Sequence, residues 1–114
     1  MAGVYDISCD QGSTFALTIS WLDSDGAGVN LSTYAARMDV RPTIESSTRT
    51  LALTTENGGI AFGAATGTIE LRITAEQTAA LAAGDYVYDL ELVSGAAVTR
   101  ILEGAFTVRA EVTR

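Results

Sequence analysis

The sequence predicts an all-β domain, an antiparallel sandwich of seven or eight short strands with one short helix near 75–83. Three observations carry that prediction. Period-two alternation of apolar and polar residues recurs along the chain, as half-buried strands require. Turn-forming residues separate the alternating runs. Helix formers are confined to one stretch of about two turns.

The longest clean alternation is at 84–92. Tyr86, Tyr88, Leu90 and Leu92 fall on one side, and Asp85, Val87, Asp89 and Glu91 on the other. The rest of the chain is organised around this strand. Ahead of it, Val4 to Cys9 forms a first short strand and residues 10–13 a turn. Phe15, Leu17, Ile19 and Trp21 share one parity and predict a second strong strand, long enough to lie centrally in a sheet. Residues 23–28 read as a hairpin-type loop, because Asp25-Gly26 supplies a positive φ. Tyr34, Ala36, Met38 and Val40 turn inward, with Ala35, Arg37, Asp39 and Arg41 opposite. Pro42 ends that strand or places it at an edge, since proline cannot donate to a ladder.

Residues 50–54 and 60–62 are brief strands around the turn at 56–59, and 68–73 alternates again with Ile69, Leu71 and Ile73 inward. Thr74 and Gln77 match a capping box that opens the helix. Gly84 suits the position after its end, and Leu81 is expected to pin it to the core. Residues 94–97 make a tight turn. The last row runs Val98, Arg100, Leu102, Gly104, Phe106, Val108, but both of its faces are apolar near Ile101 and Leu102, so its inward parity is open.

The 114 residues fit one domain, 1–114, large enough to bury a core without a disulfide or a metal. Fourteen acids face seven bases, all arginine, for a net charge of −7. That balance disfavours nucleic acid and anionic membrane surfaces as partners. No apolar run approaches the ~20 residues of a membrane span. Met1 to Asp6 lacks the basic start and apolar run of an export signal, so the chain is expected to be made and used without export.

The chemistry of catalysis is thinly represented. Without histidine or lysine, the common triads and dyads cannot form. The nearest carboxylate pairs are Asp23/Asp25, in a turn, and Asp89/Glu91, on the outer face of a strand, where solvation is the ordinary role. Asp23-x-Asp25 opens like a calcium loop, but Ala27 and Tyr34 stand where an EF-hand needs ligands. Cys9 has no partner for a disulfide or a zinc site and reads as a small hydrophobe in the first strand. Arg37, Arg41, Arg72, Arg100 and Arg109 lie on strands, several near acids of like parity, and suggest cross-strand ion pairs.

Gly84-x-Tyr86-x-Tyr88 resembles the tyrosine corner of immunoglobulin-like domains, with Tyr88 where a true immunoglobulin domain has its second cysteine. The fold implied is an immunoglobulin-like antiparallel β-sandwich without the disulfide. Several segments together resemble a family of small β-rich virion structural proteins of tailed bacteriophages and prophages. They are Asp10-Gln11-Gly12-Ser13-Thr14-Phe15, Trp21-Leu22-Asp23 with Asp25-Gly26, and Tyr34-Ala35-Ala36-Arg37-Met38. Further on, the stretches at 71–81, 84–92 and 99–104 join them, so the likeness covers nearly the whole chain. It is also similar to the N-terminal modules of some baseplate and fibre-attachment proteins.

That resemblance implies a non-enzymatic virion protein, made in the host bacterial cytoplasm and carried in the particle. It implies an adaptor or attachment module in the neck, tail or fibre region, in contact with other virion proteins and with copies of itself. It transfers no catalytic, cofactor or metal residue. No coiled-coil or receptor-binding extension is expected beyond Arg114, which favours an adaptor or decoration role over a host-binding one. The expected interface is two terminal arms: Ala2, Gly3, Val4 and Tyr5, and Ala110, Glu111, Val112, Thr113 and Arg114. A capsid decoration (cement) protein is the alternative within this class. A free sugar- or calcium-binding module, built on Trp21 and the loop at 23–28, is the alternative outside it.

Overall fold

The structure, a computed structural model, describes residues 3–63 and 66–111. In chain order the elements are β1 (Gly3–Val4), β2 (Ile7–Asp10), β3 (Phe15–Ser20), β4 (Ala35–Arg41) and β5 (Leu51–Thr54). Then come β6 (Ile60–Phe62), β7 (Thr68–Ile73), α1 (Ala75–Ala79), β8 (Gly84–Ser94) and β9 (Ala97–Arg109). The larger sheet has the order β1-β9-β8-β4-β5, with β2 also on β9, and the smaller has the order β3-β7-β6. Every pairing is antiparallel except those of β1 and β2, which run parallel to β9.

One core draws on both sheets. Met38, Val40, Leu90, Leu92 and Phe106 come from the larger sheet, and Ile60, Ile69, Leu71 and Ile73 from the smaller. The alternation read at 84–92 holds: Tyr88, Leu90 and Leu92 are buried, and β8 lies between β4 and β9. β4 is interior as well, since it ends at Arg41 and leaves Pro42 outside the ladder. Cys9 is buried in β2 beside Ile7.

Four expectations are corrected. β3 is not central but an edge strand, so Phe15, Leu17 and Ile19 are only half-buried. The first strand is broken in two at Tyr5-Asp6. There the chain crosses Gly104 so closely that a β-carbon on Gly104 would stand 2.5 Å from the Tyr5 carbonyl oxygen. The helix stops at Ala79 with Ala80 as its C-cap, which leaves Gly84 to open β8 rather than close α1. Counting both halves of the first strand, nine strands lie among the described residues.

The open parity of the last row has a physical cause. Leu90 pairs with Leu102 but Glu91 pairs with Arg100, so Ile101 is an extra residue in β9, a bulge. Beyond it Phe106 and Val108 turn inward; before it the parity is reversed. Gly95, with φ of +59°, takes the first position of the two-residue β8–β9 turn, as a type II′ turn requires.

The capping box is present: Gln77 N donates to Thr74 Oγ1 at 3.1 Å, and Thr74 N donates to Gln77 Oε1 at 2.9 Å. Fully buried Thr78 ties α1 to the β2–β3 turn through a 2.9 Å bond from its hydroxyl to Ser13 O. Leu81 is buried, as expected. Tyr86 donates its hydroxyl to Ala82 O at 2.7 Å, closing the corner that leads from the smaller sheet into the larger.

Candidate functional site

The side chains that could act on a partner gather on the outer face of the larger sheet. Burial of Ala36, Met38 and Val40 in β4, and of Tyr88, Leu90 and Leu92 in β8, fixes the opposite parity outward. Register then aligns the outward residues in rows across β4, β8 and β9. One row is Arg37, Glu91, Arg100; the next is Asp39, Asp89, Glu103. Without the bulge at Ile101, Arg100 and Glu103 would not both face outward.

The charges pair densely. Arg37 Nε bonds Glu91 Oε1 at 2.9 Å, and Arg41 Nη2 bonds Asp39 Oδ2 at 3.1 Å. Arg49 adds a 3.7 Å pair to Asp39. Arg100 lies 3.4 Å from Asp89 and 3.3 Å from Glu103. The all-acid row puts like charges directly opposite one another, which is unfavourable. Burial, and then the neighbouring Glu91, push the Asp89 carboxyl above the ordinary range; Arg100 opposes them, while Asp39 and Glu103 add to the rise. Together these residues floor a depression of about 740 Å³, with the exposed side chains of Val4 and Ile44 on its rim.

Asp89 and Glu91, the one strand-borne carboxylate pair read from the sequence, therefore belong to a larger array. Asp39 and Glu103 are not legible as members of it, because they meet the pair only across strands. The outward parity of Asp39 is visible in the sequence, but that of Glu103 is not, and neither register is. Of the cross-strand ion pairs expected for the arginines, Arg37–Glu91, Arg100–Asp89 and Arg109–Asp10 are made.

The other candidates lie apart from this face. Asp23 spends its Oδ1 on the backbone N–H groups of Asp25 and Ala27, at 2.9 and 3.0 Å, so it holds the loop's own turn. Trp21 is half-buried and packs edge-on against Tyr34, 5.5 Å between ring centroids, as a core plug does. Among the described residues no group of three or more potential ligands could hold a metal ion, and no helix is long and apolar enough to cross a membrane.

The terminal arms are described only in part. Gly3 and Val4 pair with β9, and Tyr5 N donates to Glu103 O at 2.9 Å. Their backbone is thus committed within the chain, while the Val4 and Tyr5 side chains remain exposed. Glu111 N donates to Gln11 Oε1 at 3.0 Å, and Ala110 is exposed. Ala2, Val112, Thr113 and Arg114 lie outside the described residues. The chain matches no protein-family model and no curated protein.

Proposed function

We propose that this chain is a structural protein of a tailed-bacteriophage virion, an adaptor or attachment module in the neck, tail or fibre region. It works without catalysis, through contacts with other virion proteins. The observation that carries the proposal is the open, ion-paired face of the larger sheet. Its ionisable groups face outward and neutralise one another, an arrangement suited to meeting a protein surface rather than enclosing a substrate. The exposed Val4 and Tyr5 side chains extend that surface to the sheet edge.

The immunoglobulin-like form of the sandwich is part of the same proposal. Supporting it are the order β9-β8-β4-β5 opposite β3-β7-β6, a first strand parallel to the last, and the tyrosine corner at Tyr86. The residues that carry the family likeness include those that make the corners: Asp23 in its turn, Thr74 and Gln77 in the capping box, Tyr86 at the start of β8.

The test is quantitative mass spectrometry of purified particles, counting this chain against the major capsid protein. A small copy number, roughly six or twelve or a low multiple, is expected for a neck or tail position set by symmetry. Copies on the order of hundreds would instead make it a shell decoration protein. Finding none in the particle would overturn the virion assignment.

A further inference from the structure

The charges of this molecule are unevenly spread. The outer face of β4, β8 and β9, with Arg49 beside it, carries Arg37, Arg41, Arg49, Arg100 and Arg109 against Asp39, Asp85, Asp89, Glu91 and Glu103, five of each sign. Among the described residues, six bases and fourteen acids, this leaves one base, Arg72, and nine acids elsewhere, so the acidic excess lies off this face. Two copies approaching by other surfaces meet net repulsion, and this face escapes it.

The face is also banded along the strands. Beyond the Arg37 row lies an apolar row, Ala35, Val93 and Val98, and beyond the Asp39 row lies Arg41, Val87 and Ala105. The order is apolar, mixed with two arginines, acidic, largely apolar. A two-fold axis running across the strands, between the Arg37 row and the Asp39 row, lays the arginine-bearing row over the acidic one. Arg37 then faces Asp39 of the second copy, Arg100 faces Glu103, and Val93 faces Val87. Only the central contact, Glu91 over Asp89, is acidic on both sides, and arginines of both copies flank it. The operation is its own inverse, so each contact is made twice, as a closed two-fold dimer requires.

The intrachain pattern gives such a partner something to relieve. Asp39, Asp89 and Glu103 stand directly opposite one another on three adjacent strands. Arginines of a second copy laid over this row would offset that like-charge contact. Val98, 50% exposed, would be covered in the same step.

We infer that the outer face of β4, β8 and β9 is a self-complementary interface, and that the chain pairs with a second copy through it. This concerns the isolated chain in solution, so it stands or falls separately from the virion assignment.

The test is sedimentation equilibrium of the full chain and of two charge reversals, Arg37→Asp and Asp39→Arg. Circular dichroism and thermal unfolding establish that each variant is folded. The parent chain is expected to dimerise, more weakly as salt is raised. Each reversal sets two like-charge pairs across the axis and is expected to raise the dissociation constant at least about 10-fold. In a mixture, the carboxylate introduced by Arg37→Asp meets the guanidinium introduced by Asp39→Arg. The unchanged Asp39 of the first variant meets the unchanged Arg37 of the second. Both contacts then hold opposite charges, so the mixture is expected to form heterodimers. A parent chain monomeric up to about 1 mM would overturn the inference. So would a dimer that neither reversal weakens, or folded variants that fail to pair when mixed.

Discussion

Tyr88 shows how much one side chain holds in place. It is buried on β8 opposite Gly104 of β9, and its hydroxyl passes over that glycine to donate to Tyr5 O. Burial, and then the nearby Asp6 and Tyr5, keep the phenol protonated well above its usual range, so it remains a donor. Tyr88→Phe leaves the carbonyl oxygen without this donor and is expected to cost about 1–2 kcal/mol, read as a lower urea midpoint at unchanged m-value. Asp89 is shifted in the same direction, with the opposite consequence at neutral pH. Its carboxyl is raised, so folding favours the protonated form; its favourable contribution is present below the carboxylate range and is lost as pH rises through the folded pKa. At neutral pH the ionised group is a net cost, and Arg100 keeps Glu103 as a partner when it is removed. Asp89→Asn is therefore expected to unfold at a higher temperature than the parent at pH 7. That gain should shrink as pH falls through the raised folded pKa and be gone by about pH 4, near the ordinary aspartate value, where the parent carboxyl is also neutral. Equal differences at both pH values would refute the assignment.

At the scale of elements, local chemistry is legible in the sequence and register is not. The Thr74–Gln77 box, the turn at Asp25-Gly26 and the Gly84-x-Tyr86 corner are short-range patterns, and each forms as read. The helix ends earlier than its composition suggests: helix formers run on to Ala83, but the last helical residue is Ala79, with Ala80, still in the right-handed helical region, as its C-cap. Placing β3 at an edge, and finding the bulge at Ile101, both require knowing which strand lies next to which. That information is absent from any single alternating run. The candidate face is hidden for the same reason: its rows exist only after β4, β8 and β9 are in register. The cap offers a clean measurement. Thr74→Ala removes the acceptor for Gln77 N and is expected to cost about 1 kcal/mol. Because Thr78 anchors the helix to Ser13 O independently, the loss should appear as reduced stability with the native circular dichroism retained.

Across the whole molecule, the chain closes on itself through its first ten residues. β2 lies parallel along β9, pairing Ile7 with Phe106 and Cys9 with Val108, residues about a hundred positions apart in the sequence. The two halves of the first strand contribute unequally to this closure. Ile7 and Cys9 are 2% and 3% exposed, whereas Val4 is 77% exposed. β1 therefore adds two backbone pairs and the Tyr5 carbonyl, while β2 covers the core edge beside Phe106 and Val108. A chain lacking residues 1–5 is expected to fold, with a loss larger than that of Tyr88→Phe, because it removes the same hydrogen bond together with the Tyr5 N–H bond to Glu103 O and the β1–β9 pairs. A chain lacking residues 1–10 also loses the buried side chains of Ile7 and Cys9 and bares the β9 edge. Truncating one buried Ile to Ala already costs about 2–5 kcal/mol, against a typical total stability of about 5–15. Its cooperative unfolding transition is expected to disappear, and the bared strand to drive association. Thermal melts of the two truncations side by side measure this division. Similar melting temperatures would show that the core edge does not depend on β2.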